Sequence, residues 1–207
     1  MERIYKYVLI ALSLAICTGL FSQTISSPKP KDFNTLPLVK WKYKASQPFI
    51  SSPVIDGNLI YAGNFDGNLY AIDLKSGEVK WKFKTGGDIR STVTISENKL
   101  YFTSGDGSLY TLDKKNGKLI WTFTASDKKY DAYDYQQSSP VLYNNILYFG
   151  MGDGKVYAVS AADGKEVWSY QTGDVVHSTP AILKEKLYIG SFDGYVYGFD
   201  AASGSML

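Results

Sequence analysis

The side chains that could do chemistry in this 207-residue chain are few and widely spaced. His177 is the only histidine and Cys17 the only cysteine. A catalytic zinc needs three converging protein ligands, and one imidazole without cysteine or a second histidine does not supply them. Asp66, Asp106, Asp153 and Asp193 each precede a glycine. None lies in the dense run of oxygen ligands that calcium requires, so Asp-Gly reads as turn chemistry. No nucleophile stands beside a paired base, and no glycine loop opens a helix to cradle phosphate. No catalytic residue and no metal ligand is therefore expected, which leaves recognition. Between residues 126 and 136, Tyr130, Tyr133 and Tyr135 surround Asp134. Such tyrosines offer large rigid contact surface at low entropic cost, the pattern of a recognition loop. The same stretch also reads as an insertion that a surface loop tolerates.

The elements that position these residues follow from composition and period. Twenty-two basic and 20 acidic residues leave a net charge of +2, with lysines dispersed along the chain. That excludes the clustered basic face of a nucleic-acid binder. Seventeen tyrosines, 10 phenylalanines and 19 glycines favour an all-β protein of half-buried strands and tight turns.

Residues 1–22 differ. Arg3 and Lys6 precede an apolar run from Val8 to Leu20, and Ser22 stands at a cleavage position. This is the pattern of a signal peptide, too short for the roughly 20 residues of a membrane span. The chain is thus expected to be exported, to the periplasm or beyond, with no membrane span in its mature part. Lipid anchoring through Cys17 is the weaker reading, because Ile16 replaces the small residue of a lipoprotein box. Residues 23–37, rich in Ser, Pro and Lys, read as a flexible linker.

From residue 38 onward the sequence repeats. Tryptophan recurs at Trp41, Trp81, Trp121 and Trp168, with spacings of 40, 40 and 47, and the Asp-Gly pairs recur with spacings of 40, 47 and 40. Two unrelated markers share one long interval, whose extra residues lie in the tyrosine segment. Within a unit, strand-length apolar pieces alternate with turn sequences such as Asp56-Gly57-Asn58 and Lys75-Ser76-Gly77. Each unit is then an antiparallel meander of strands A to D. Strands this short cannot bury both faces alone, so the units must stack, and radial stacking of such sheets is a β-propeller. The blade units run about 45–84, 85–124, 125–171 and 172–207, with 38–44 a lone D strand.

The segment from Ala71-Ile72-Asp73 through Gly77 to Trp81 resembles the quinoprotein (PQQ-type) repeat, Ala-x-Asp-x-x-Thr-Gly-x-x-x-Trp. It recurs through Gly117 to Trp121 and through Gly164 to Trp168, and again up to Gly204, with Ser76, Asn116, Asp163 and Ser203 in place of Thr. The resemblance covers residues 38–207. It implies that the glycine makes the C–D turn and that the tryptophan packs on the next blade; it does not imply that a quinone binds.

The chain opens on a D strand and its fourth unit lacks one. Either the blades form an open arc of a larger propeller, or the N-terminal strand closes a four-blade ring, or two chains associate to complete one. Positions that differ between copies are free to recognise something. Just before each A strand stand Ile50, Arg90, Gln137 and His177, expected to converge at the channel mouth, where solvation alone also favours polar residues. With the signal sequence, these features resemble the propeller subunit of the outer-membrane β-barrel assembly machinery, which implies a non-catalytic envelope module whose partner is another envelope protein or an extracellular ligand. One alternative is part of a quinoprotein dehydrogenase holding PQQ and calcium, a family that typically shows adjacent cysteines and more blades. A second is carbohydrate or peptidoglycan binding through the tyrosine segment.

Overall fold

The computed structural model describes residues 39–125 and 137–207. The chain forms two units, Met1–Lys40 and Trp41–Leu207, and every strand among the described residues belongs to the second. The described residues are all-β. The first sheet is β1 (Val54–Asp56), β2 (Leu59–Gly63), β3 (Asn68–Asp73) and β4 (Val79–Lys84). The second is β5 (Thr94–Ser96), β6 (Lys99–Ser104), β7 (Ser108–Asp113) and β8 (Leu119–Thr124). The third is β9 (Val141–Tyr143), β10 (Ile146–Gly150), β11 (Lys155–Ser160) and β12 (Glu166–Gln171). The fourth has three strands, β13 (Ala181–Leu183), β14 (Lys186–Gly190) and β15 (Val196–Asp200). Each sheet is an antiparallel meander in sequence order.

The core lies between sheets. Tyr61, Leu69 and Ala71 of the first sheet meet Leu100, Phe102 and Leu112 of the second. Leu109 of the second meets Leu147 and Phe149 of the third, and Val156 of the third meets Leu187 and Phe199 of the fourth. Each such leucine, valine or phenylalanine contributes about 1.5–3 kcal/mol when fully removed from water, and a lone sheet cannot achieve that. The outermost strands β4, β8 and β12 instead alternate exposed and half-buried residues, with Lys80, Lys82 and Lys84 turned to solvent. Each of these strands carries a bulge at its pairing with the third strand, opposite Ala71/Ile72, Thr111/Leu112 and Ala158/Val159.

The four tryptophans do one job. A Cβ placed on Gly77, Gly117, Gly164 or Gly204 would lie 2.5–2.7 Å from the ring of Trp41, Trp81, Trp121 or Trp168 respectively. Each indole therefore lies flat on the C–D turn of the following blade. These glycines also have positive φ, +69° at Gly117, so two independent constraints exclude a side chain. Trp41 and Trp168 additionally donate their indole N–H to Leu74 O and Ala201 O, at 3.0 and 2.9 Å. The equivalent carbonyls of Lys114 and Ala161 take the Tyr61 hydroxyl and the Lys99 ammonium instead. The indole N–H groups of Trp81 and Trp121 are buried without a partner.

One expectation is corrected. Residues 39–44 form no strand; Trp41 nonetheless occupies the glycine turn of the first blade. Of the arrangements left open, a four-blade ring closed by residues 39–44 is the one not formed. β15 remains the edge of its sheet, and the residue bridged to it at Phe199 is the chain's own Met206. The sheets form an open arc.

Replacing Gly117 by Ala should cost roughly 2–5 kcal/mol, the sum of left-handed backbone strain and overpacking against Trp81. Gly57, at φ +58° with nothing within 4 Å of a new Cβ, should cost only about 1–2 kcal/mol on the same change. Urea unfolding midpoints of the two variants check the difference; equal losses would show that the indole contact contributes nothing.

Candidate functional site

The four Asp-Gly turns share one hydrogen-bond arrangement. One oxygen of Asp66, Asp106, Asp153 and Asp193 accepts the hydroxyl of the tyrosine four residues on, Tyr70, Tyr110, Tyr157 and Tyr197, at 2.5–2.7 Å. The other oxygen accepts a backbone N–H two residues on, at 2.9–3.1 Å. In the second and fourth blades the first oxygen also accepts Gly86 N–H and Gly173 N–H. These N–H groups belong to the segment that enters the blade, so each carboxylate ties that segment to the turn. Burial alone would raise the Asp66 and Asp193 carboxyls, but the bonds from Tyr70 and Asn68, and from Tyr197 and the Tyr195 and Gly173 N–H groups, outweigh it and hold both below the usual range. Tyr70 and Tyr110 are pushed up by burial and then by their aspartates. The Tyr197 phenol is pushed up to about 12, chiefly by Asp193.

The first residue of each Ser-Ser-Pro-like segment performs a second repeated task. Ser51, Ser91 and Ser178 each donate Oγ–H to the carbonyl of Gly63, Thr103 or Gly190 and accept the same residue's N–H, at 2.7–3.0 Å. Ser138 accepts Gly150 N–H but sends its own hydroxyl to Ser178 O of the next blade, at 2.7 Å. Thr103 likewise donates to Ser138 O at 2.7 Å. Hydroxyls thus join the innermost segments of neighbouring blades.

Against this repeated framework the differing residues behave differently. Arg90 and Gln137, 47 positions apart, come together: the Arg90 N–H donates to Gln137 Oε1 at 3.2 Å, and Gln137 Nε2 donates to Asp88 O at 3.2 Å. The Arg90 side chain is ion-paired to Asp88, lies 4.6 Å over the Phe65 ring, and is only 6% exposed. Desolvated in this way, it is held rigidly by a carboxylate on one side and an aromatic face on the other. His177 meets the ring of Phe192 edge-on, with centroids 4.9 Å apart, and Phe192 is 65% exposed. Ile50 is half exposed. Tyr130, Tyr133, Asp134 and Tyr135 lie outside the described residues.

Phe65, Gly105, Gly152 and Phe192 occupy the same repeat position, immediately before each Asp-Gly. Sequence reasoning missed it, along with Asp88, although the alternation of aromatic and glycine within an otherwise constant turn was visible. A Cβ on Gly105 would come within 2.2 Å of Asp88 Oδ1 and 3.0 Å of Gln137 Nε2. A ring at that position would therefore displace the cluster. The Asp–Tyr pairs were missed too, despite the same four-residue spacing in every copy.

The arrangement presents fixed hydrogen-bonding groups. Among the described residues no three His, Cys, Asp or Glu side chains group as metal ligands. The four turn carboxylates are committed to tyrosines and backbone, and Asp88 to Arg90. Such a donor set does not fit calcium with a quinone, so no step is derived through either.

The family model that matches residues 35–207 is described as outer membrane protein assembly factor BamB. The chain belongs to this family. Among solved structures it is similar to BamB from Moraxella catarrhalis, at 23% identity and a TM-score of 0.70, over 80% of this chain and 54% of that one. It is also similar to the computationally designed Ika8 protein, at 19% identity and TM-score 0.63, over 75% of this chain and 46% of that one. A third is the quinohemoprotein alcohol dehydrogenase ADHIIG from Pseudomonas putida HK5, at 18% identity and TM-score 0.65, over 81% of this chain and 34% of that one. The chain thus spans about half of the BamB chain it matches. A comparison with curated proteins finds no match. No helix among the described residues is long and apolar enough to cross a membrane.

Two outcomes follow from the tyrosines and aspartates. Burial and nearby carboxylates push the Tyr61 and Tyr148 phenols up to about 12. Folded values above the unfolded value of about 10 mean that this stability is complete below pH ~10 and is lost as pH rises toward about 12. The lowered Asp66 and Asp193 carboxyls contribute stability that is present above about pH 4 and lost as pH falls through their folded values. Urea midpoints against pH should fall at both ends, and Tyr148→Phe should flatten the alkaline fall; an unchanged alkaline slope contradicts the assignment. Asp106→Asn should cost about 1–3 kcal/mol, because an amide N–H₂ then faces donors, which the same unfolding measurement reads.

Proposed function

We propose that the chain is a non-catalytic protein-binding module of the cell envelope, acting in outer membrane protein assembly as its family's name states. The observation that carries this reading is the division of labour among repeat positions. Trp, Gly, Asp, Tyr and Ser recur in every copy and are consumed by packing and backbone hydrogen bonds. What varies is concentrated around the turns and blade-entry segments: a buried Arg90–Asp88–Gln137 cluster beside Phe65, and an exposed Phe192 against His177. A preorganised polar cluster and, separately, an exposed aromatic ring are the composition of a protein-recognition surface rather than of a reaction centre. The signal-peptide pattern of residues 1–22 and the family supply the support for an envelope setting.

A photo-crosslinking amino acid at Phe192 in the exported protein tests the reading, with one at Lys80 on an outer strand as comparison. One dominant envelope-protein adduct is expected from Phe192 and none of that size from Lys80. Equal, diffuse labelling from both positions would sink the proposal.

The likeness to a quinohemoprotein dehydrogenase supports a second reading, a cofactor-binding blade array. Added PQQ and calcium should leave no quinone absorbance with the protein after gel filtration, no dye reduction with alcohols, and an unchanged thermal midpoint. Stoichiometric retention of the quinone would favour that reading over ours.

A further inference from the structure

The strand ends opposite the Asp-Gly turns carry the A–B and C–D turns of each blade. Leu74, Lys114, Ala161 and Ala201 hold one repeat position there, immediately after the third strand. A tyrosine on the second strand of the preceding blade fixes the backbone at this position. Tyr61 donates its hydroxyl to Lys114 O at 3.0 Å, and Tyr148 donates to Ala201 O at 2.9 Å. Residues 114 and 201 therefore stand in the same place relative to the blade before them.

What differs is the side chain that fills the space beside this carbonyl. Between the first and second blades, Lys114 extends to the A–B turn of the first, where its ammonium lies 2.7 Å from Asp56 Oδ2. Between the second and third blades residue 161 is alanine, and Lys99 of the second strand supplies the ammonium instead, donating to Ala161 O at 3.2 Å. Between the third and fourth blades both sources are lost: Ala201 stands in the place of Lys114, and Ile146 in that of Lys99. A cavity of about 140 Å³ is left there, lined by Tyr143, Ile146, Tyr148, Glu185, Asp200 and Ala201. Among the described residues, none hydrogen-bonds or ion-pairs with the Glu185 carboxylate. Asp200 accepts the Ser203 N–H and hydroxyl on one oxygen, which anchors its carboxylate at the turn. Burial, and then the charge of Asp200, pushes the Tyr148 phenol up to about 12, so negative potential reaches into the cavity.

We propose that this cavity between the third and fourth blades receives a lysine side chain of a partner protein, with its ammonium bound by Glu185 and Asp200. A lysine of this chain fills the equivalent space in both preceding interfaces, and the carboxylates select the same group here. Tyr143 and Ile146 give the alkyl stem an apolar wall, while the charged head stays with the carboxylates, as long cationic side chains do at wet surfaces. The cavity is also smaller than the roughly 300 Å³ at which pockets for whole small molecules begin, and so suits a single side chain. It lies at the strand ends opposite Arg90 and Phe192, which makes it a second contact, independent of that surface.

Backbone amide NMR signals of the isotope-labelled full chain, titrated with Nα-acetyl-lysine amide, test the proposal. Saturable shifts at Asn144, Glu185 and Ala201 are expected in the millimolar range, and none from Nα-acetyl-norleucine amide, which has the stem without the charge. Ala201→Lys places the chain's own ammonium where Lys114 carries it, so these signals should no longer respond. Glu185→Gln keeps the side-chain shape and should raise the half-saturating concentration about threefold. Absence of a saturable shift from the lysine amide overturns the proposal, as do equal shifts from the norleucine amide or shifts that persist in Ala201→Lys. Cadaverine saturating the same signals at about a tenfold lower concentration than the lysine amide also overturns it, and assigns the cavity to free diamines. Crosslinking at Phe192 reads the opposite strand ends, so the two proposals fail separately.

Discussion

Everything in this fold depends on a tryptophan lying flat on a glycine turn. The indole leaves the fourth strand of one blade and covers the C–D turn of the next, where a single methyl group would collide with the ring. That contact fixes the distance between blades, and the distance decides which side chains interlock beneath it: Leu69 against Leu100 and Phe102, Leu109 against Leu147 and Phe149, Val156 against Leu187 and Phe199. A sheet of four short strands has no independent core, so the inter-blade contact is the tertiary structure. The unsatisfied indole N–H groups of Trp81 and Trp121 show that ring packing, rather than hydrogen bonding, is the constant element.

A second layer of repetition deals with polar groups. The serine hydroxyl at the entry to each blade accepts a backbone N–H of the second strand, and in three of the four it also donates to the same residue's carbonyl, while Ser138 donates to the next blade. At the turn, the aspartate supplies a two-sided acceptor for tyrosine and backbone. Where these polar residues recur they make a scaffold that tolerates change elsewhere. Arg90, Asp88, Gln137 and Phe65 exploit that tolerance, because the glycine at position 105 leaves room for the carboxylate that a ring there would occupy.

Much of this was legible in the sequence. The shared 47-residue interval of Trp and Asp-Gly, the glycine four positions after each Asp or Ser of the C–D turn, and the strand-length apolar pieces determine an all-β repeat of stacked meanders. They do so because one periodic pattern has to satisfy the same local geometry four times. The Asp–Tyr and Ser–backbone pairs were equally periodic, yet their roles were not deducible, since the same residues serve as solvated turn chemistry in isolation. Arg90 and Gln137 were singled out because they break the repeat; that they touch, and that Asp88 and Phe65 hold the arginine, depended on coordinates.

The sequence by itself thus determined the blade, its number of copies and the family to which the chain belongs, all consequences of local periodicity. Only the tertiary structure decided that the arc stays open and that residues 39–44 pair with no strand. The physical reason is that closure is a property of angles between blades and of what lies at an edge. Those quantities accumulate over the whole array and leave no mark on any single repeat.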